Sequence, residues 1–265
     1  MKTLIKNEFR QTRKLLLIWL GIMLLLCGFC YFELLSLQDS LDEMAAMVGQ
    51  FPRLIMIMFG VKGDLTTSTG WYVCIYFWEG LLAFPYAMSL GLSCVAKEKK
   101  FGTSEYLFTK PFPRKAIYWA KALTVFVGVA IVGTGYLLAS LFAMAIFRSG
   151  TPWGEFFLIA LSLTLVTLFF AAMGLMVGIL FSRNRSPLLT AGLVVFVEYC
   201  ITSFSNIVSN RAISFLSPYS FFGAADISKN GFYDLRYLGW CVLLFALFLV
   251  LSYGVFLKKD IQFRS

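Results

Sequence analysis

The chain has 265 residues, of which 59% are apolar and 14% are charged, and its mean hydropathy is +0.79. A soluble domain of this length cannot bury so much apolar surface, so the composition excludes a soluble enzyme and leaves a single membrane domain over residues 1–265. The net charge of +9 does not indicate nucleic-acid binding, because no basic face accompanies a nucleic-acid-binding motif. The chain contains no histidine, which excludes His-based metal sites and Ser–His or Cys–His catalysis.

Residues 1–14 are predicted to form an amphipathic helix that lies along the membrane surface. At about 100° per residue, Leu4, Ile5 and Phe9 share one side, and the basic residues of this segment share the adjoining one. Glu8 falls on the apolar side, a position that suits contact with protein better than contact with lipid.

Six apolar stretches are each long enough to cross a membrane, which takes roughly 20 residues. Most of the 23 Lys and Arg residues lie in the segments that are cytoplasmic if the N-terminus is cytoplasmic. The six stretches predict an all-α, multi-pass protein of the cell membrane. The bias of the basic residues predicts that both termini are cytoplasmic and that these residues bind anionic lipid headgroups. The predicted spans are Leu15–Leu37, Trp71–Val95, Ala122–Phe147, Phe156–Phe181, Leu188–Phe204 and Leu238–Leu257.

Two outer segments are too long to be simple turns. The first, Ser36–Gly70, contains the apolar run Leu54–Val61, which is too short to cross and predicts a surface or re-entrant piece. The second covers residues 205–236 and contains the sequence FLSPYSFF, in which Pro218 interrupts an apolar run. We expect small re-entrant helices here, before the sixth span.

The cytoplasmic segment 97–117 joins the second span to the third and is longer than a connector needs to be. Thr103 can cap a short helix that has Glu105 in its first turn, and Pro111 ends it. Two interpretations of this segment remain open. It is either a protruding helix that binds another protein, or a basic loop whose aromatic residues contact lipid headgroups. The side chains that such a helix would present are Tyr106, Leu107 and Phe108.

This segment resembles the coupling loop of the ABC-2 type permeases, the membrane subunits of ABC transporters. The matching pattern is E-x-x-x-G-T-x-E-x-L, then P-x-x-R, then a Lys before the next span. The segments Phe59–Gly60, Gly70–Tyr72 and Leu216–Tyr219 resemble further elements of that family. The residues that carry the main resemblance are Glu98, Gly102, Thr103, Glu105, Leu107, Pro111, Arg114 and Lys121.

The resemblance implies a six-span bacterial permease whose coupling helix inserts into a separate ABC ATPase subunit. It also implies a second permease subunit, identical or related, and export of a drug, peptide or lipid-like substrate. The chain has no phosphate-loop motif, so ATP and Mg are expected on the partner ATPase and no cofactor is expected here.

Two carboxylates in the predicted spans leave a second function open. Glu79 and Glu198 lie among apolar residues, where an ionised carboxylate is costly. Each is interpreted either as a substrate-pathway residue or as a partner in a hydrogen bond between helices. The alternative functions are a proton-coupled secondary transporter that uses both residues as a relay, and an ATPase-recruiting resistance or signalling protein.

Small residues in two spans predict close helix contact. Gly174 and Gly178 form a G-x-x-x-G pattern in the fourth span, and Ala87 and Gly91 form a similar pair in the second. We expect both pairs to serve packing within the chain.

Overall fold

The computed structural model describes residues 2–62, 64–100, 113–146, 153–181, 186–208 and 210–258. Within these residues the chain is α-helical and contains no strand. Six helices are long and apolar enough to cross a membrane, which confirms the predicted fold class and all six spans. These helices are α1 (Lys2–Leu37), α4 (Ser68–Lys100), α5 (Arg114–Ile146), α6 (Trp153–Leu180), α7 (Pro187–Val208) and α10 (Leu235–Lys258).

Helices α4 and α6 form the centre of the bundle and make its most extensive helix contact. In both helices, 67% of the most apolar 18-residue stretch is buried inside the protein. In α10, only 17% of the corresponding stretch is buried. Helix α6 is apolar on all sides, as expected for a central helix. Helices α1, α7 and α10 therefore form the outside of the bundle, with apolar side chains exposed on their surfaces.

Glycines allow the two central helices to approach each other closely. A Cβ atom on Gly174 would lie 2.2 Å from the Met88 carbonyl oxygen, and one on Gly91 would lie 2.4 Å from that of Ala171. A Cβ atom on Gly178 would lie 2.8 Å from the Leu92 carbonyl oxygen. The prediction that these small residues serve packing within the chain is confirmed.

The N-terminal segment differs from its predicted form. Residues 2–14 are helical, but they continue into the first span as one uninterrupted helix, α1, and do not form a separate element. The physical reason is that no Pro or Gly lies between Lys14 and Gly21, while the intervening residues are mostly good helix formers. The position of residues 2–14 in the membrane interface stays a prediction.

Both helices that flank the predicted coupling segment 97–117 extend into it. Helix α4 continues through Glu98 to Lys100, and α5 begins at Arg114, directly after Pro113. Lys and Glu favour helix, and Pro suits the residue just before a helix or its first position. Only residues 101–113 therefore separate the two helices.

Short helices cover the opposite end of the bundle. The segment before α4 contains α2 (Leu41–Val48) and α3 (Arg53–Met58), and Gly60 follows α3 with a φ of 77° and its Cα against the Phe77 ring. Most of the apolar run Leu54–Val61 is therefore helical, and its predicted surface or re-entrant position stays a prediction. Before α10 lie α8 (Arg211–Ser214), the 3-10 turn Pro218–Ser220 and α9 (Ala224–Asn230), as the sequence predicted for the segment before the sixth span.

A polar turn fixes the start of α4. The Thr67 hydroxyl donates to the Asp64 carbonyl oxygen at 2.8 Å and accepts from the Gly70 amide at 3.1 Å, so Thr67 caps the helix. The Thr66 hydroxyl and amide donate to the Asp64 carboxylate, which lowers the pKa of Asp64. A Cβ on Gly70 would lie 1.9 Å from the Asp64 carbonyl oxygen, so this turn requires glycine.

Candidate functional site

Most residues of the predicted coupling helix lie outside the described part of the chain. Arg114 is described: it begins α5, and its Nη1 donates to the Leu257 carbonyl oxygen at 3.2 Å near the end of α10. Glu98 lies near the end of α4, with its side chain outside the described part. The residues that fall outside the described ranges are Gly102, Thr103, Glu105, Tyr106, Leu107, Phe108 and Pro111.

A buried ion pair joins three helices at the end of the bundle where α4 ends and α5 begins. The Lys121 ammonium donates to the Glu8 carboxylate at 2.9 Å and to the Cys94 carbonyl oxygen at 2.9 Å. The side chains of Lys121 and Glu8 are only 4% and 9% exposed. Because Cys94 lies in α4 and Glu8 in α1, this one cation connects α5 to both helices.

The Lys121 ammonium lies where its removal would destabilise the protein. Desolvating a charge is expensive, and a buried pair is tolerated only when additional hydrogen bonds satisfy the remaining donors. The Cys94 carbonyl oxygen supplies such a bond as a second acceptor for the ammonium. The sequence analysis placed Lys121 just before the third span. In the structure it lies within α5, which begins at Arg114, and its side chain is buried between helices.

The other side of α5 is fixed to α10. The Tyr118 and Ser252 hydroxyls are 2.7 Å apart and hydrogen-bonded, and the Tyr118 hydroxyl also donates to the Leu249 carbonyl oxygen at 3.3 Å. The Tyr118 ring packs against those of Tyr253 and Phe256, with centroids 5.2 and 5.6 Å away. The start of α5 is therefore attached to α1, α4 and α10.

Glu79 lies inside the bundle and not on its surface. Its side chain is fully buried, and neither carboxyl oxygen has a hydrogen-bond partner among the described residues. The Tyr136 hydroxyl lies beside the carboxyl without reaching hydrogen-bonding geometry, and it bonds the Tyr72 hydroxyl at 2.8 Å. Glu79 therefore belongs to a buried tyrosine cluster between α1, α4 and α5, which Tyr31 completes.

Glu198 is half-buried on α7, in surroundings that differ from those of Glu79. The Ser217 hydroxyl donates to the Glu198 carbonyl oxygen at 2.8 Å and accepts from the Thr202 hydroxyl at 2.7 Å. The Glu198 Oε2 atom has no hydrogen-bond partner among the described residues. The contact between α7 and the segment before α10 therefore involves the backbone carbonyl oxygen of Glu198. The Oε2 atom takes no part in it.

Replacing Glu79 by Gln is expected to leave the chain nearly as stable as the wild type. The variant keeps the shape of the side chain, and no described hydrogen bond or ion pair is lost, so the free energy of unfolding should change by less than about 1 kcal/mol. Replacing Glu79 by Ala leaves a cavity and should cost about 2–3 kcal/mol. Denaturant unfolding in detergent measures both, and a larger loss in Glu79→Gln than in Glu79→Ala would contradict this account.

Sequence reasoning missed two parts of this arrangement. The pairing of Glu8 with Lys121 had a signal, because Glu8 interrupts an apolar helix side and therefore needs a partner. The cluster of Tyr31, Tyr72 and Tyr136 had none, since a tyrosine in a membrane span can equally point to lipid, to water or to a neighbouring helix.

Comparison with known families agrees with this architecture. A family model described as "ABC-2 family transporter protein" matches residues 2–261, which is nearly the whole chain. No curated protein matches the chain.

Proposed function

The chain belongs to the ABC-2 family of transporter proteins, and we propose that it is the permease subunit of an ATP-driven transporter whose ATPase is a separate chain. The observation that carries the proposal is the family match over residues 2–261, together with six helices able to span a membrane. Residues 101–113, between α4 and α5, are the proposed contact with the ATPase.

The proposed mechanism transmits ATPase motion through the ends of α4 and α5. ATP binding closes two ATPase subunits, and their movement shifts residues 101–113. The Lys121 contacts with Glu8 and Cys94 support this step, because they tie the ends of three helices into one unit. The permease then alternates between inward- and outward-facing states.

A second permease subunit completes the proposed pathway. The exposed apolar surfaces of α1, α7 and α10 support contact with lipid and with this second subunit. The distribution of Lys and Arg supports cytoplasmic termini in a bacterial cell membrane. An amphipathic drug, peptide or lipid is the proposed cargo class, with export as the direction.

A proton-coupled mechanism through Glu79 and Glu198 receives less support. Glu79 is enclosed in the tyrosine cluster between α1, α4 and α5, whereas Glu198 is half-buried on α7. A relay requires groups that can exchange protons through a connected path. The permease proposal therefore expects transport to survive Glu79→Gln.

Substitution of the three apolar residues at the proposed contact should release the ATPase. We expect the variant Y106A/L107A/F108A to reduce ATPase recovery by about tenfold or more, because apolar anchors contribute most of the energy of an interface. The measurement is affinity purification of the tagged full chain in mild detergent, followed by identification of co-purified chains that carry a phosphate-loop motif.

The matched control removes exposed apolar side chains at the other end of the bundle. Phe232 and Leu235 are 65% and 79% exposed, so F232A/L235A tests whether any loss of surface apolarity has the same effect. Equal ATPase recovery from wild type, control and Y106A/L107A/F108A would show that residues 106–108 are not the contact.

A further inference from the structure

A cavity of about 400 Å³ lies at the end of the bundle opposite the end of α4 and the start of α5. Three segments far apart in sequence enclose it: α3 with the residues that follow it, the first turns of α4, and the stretch from the end of α7 through α9 to the start of α10. The proposed coupling role does not use these residues.

The charges that line this cavity are mainly positive. Three cations, Arg53, Lys62 and Lys229, face a single carboxylate, that of Asp226. The Asp226 Oδ2 atom lies over the first turn of its own helix, 2.7 Å from where a Cβ on Gly223 would sit. None of the three cations forms an ion pair within the described residues. The cavity therefore holds an excess of positive charge that is not neutralised locally.

Desolvation also acts on the Lys62 amine. Although the side chain as a whole is exposed, nearby protein displaces water from the amine and lowers the pKa of Lys62, and the Asp226 carboxylate only partly opposes the effect. A bound anion would restore favourable electrostatics at this amine, as expected where an opposite charge replaces lost water contacts.

The remaining lining combines hydrogen-bond donors with an apolar wall. Asn206, Ser214 and Ser220 add neutral donors, which suits a group with several acceptor oxygens more than a single carboxylate. Met56 and Phe77 belong to the apolar part of the lining. Beside them, α3 exposes apolar side chains that could accompany a hydrocarbon chain out of the cavity; these are Leu54, Ile55 and Met58.

We propose that this cavity binds a phosphate-type anion, most favourably the headgroup of an anionic lipid or lipid-like molecule. The phosphate oxygens contact Arg53, Lys62 and Lys229, and the apolar portion follows the side of α3. The site is separate from the proposed ATPase contact, and its binding needs no nucleotide.

The test uses the full chain purified in a zwitterionic detergent and two probes, a short-chain phosphatidylglycerol and inorganic phosphate. Microscale thermophoresis measures the affinity of each. We expect R53Q/K62Q/K229Q to weaken phosphatidylglycerol binding by about tenfold or more, since hydrogen bonds to charged groups are the strong ones. Asp226→Asn should strengthen binding, because it removes the only carboxylate in the described lining.

Two controls separate the cavity from general surface charge and from misfolding. Arg236→Gln removes an exposed cation at the same end that does not line the cavity, and R53K/K62R/K229R keeps all three charges. Both should bind within about twofold of the wild type, as expected when the charges at the site persist.

The outcomes show whether the cavity is the binding site, and whether the anion is a lipid headgroup or a soluble ion. Inorganic phosphate binding with the same dependence on the three cations would identify a soluble anion, and binding of phosphatidylglycerol alone would identify a lipid headgroup; either supports the site. Equal weakening of phosphatidylglycerol binding by R53Q/K62Q/K229Q and Arg236→Gln would overturn it. Equal affinity for a short-chain phosphatidylcholine in the wild type would overturn it as well.

Discussion

Replacing Lys121 by Met should destabilise the protein by about 3–5 kcal/mol, the usual cost of removing one partner from a buried ion pair. The Glu8 carboxylate would remain buried without the ammonium that lies 2.9 Å away, and the Cys94 carbonyl would lose a donor. Denaturant unfolding of the purified chain in detergent measures the change. The second variant, E8Q/K121M, should recover part of the loss because it removes the buried charge as well.

Lys115 provides the matched control for this substitution. It lies in the first turns of the same helix, α5, but its side chain is exposed. Lys115→Met should therefore change the free energy of unfolding by about 0.5 kcal/mol or less, as is usual at the surface. If Lys121→Met and Lys115→Met unfolded alike, the ion pair would not stabilise the junction of α1, α4 and α5.

Gly174→Ala should destabilise the bundle by about 1–3 kcal/mol, and Gly174→Leu by more, because both place side-chain atoms where two helices touch. The Cβ of Ala would lie 2.2 Å from the Met88 carbonyl oxygen, so α4 and α6 must separate to accommodate it. Since this is the central contact of the bundle, the separation disturbs every helix that packs on it. Thermal unfolding in detergent measures the loss.

A glycine with no close neighbours around its Cβ position provides the control for Gly174→Ala. Gly254 lies in α10, and a Cβ built there has no neighbouring atom within 4 Å. Gly254→Ala should keep or slightly raise stability, because Ala favours helix over Gly by about 1 kcal/mol in a helix interior. Equal melting temperatures for Gly174→Ala and Gly254→Ala would contradict the close approach of α4 and α6.

The six spans and the small-residue contacts were predictable because each depends on local sequence. A stretch such as Phe156–Phe181 has one stable form in a bilayer, since every backbone group must be bonded internally. The pair Gly174 and Gly178 likewise marks a helix side where another helix can approach. Such signals need no knowledge of which helices are neighbours.

Features that depend on the arrangement of helices were not predictable. The burial of Lys121 is one such feature. A charge marks the end of a span in the sequence, but only the arrangement of helices places Glu8 opposite this lysine. The three cations that line the cavity opposite this junction were not predictable either. Arg53 and Lys229 are 176 positions apart in sequence, and only the fold places both in the same lining.

The most direct test of the proposed permease function is transport into inverted membrane vesicles, using a panel of fluorescent amphipathic dyes. The vesicles contain this chain either alone or with the ATPase that co-purifies with it. We predict accumulation of dye only when the ATPase and ATP are both present, and loss of accumulation in Y106A/L107A/F108A. Full accumulation by this chain alone, without nucleotide, would contradict the proposal that another protein supplies the energy.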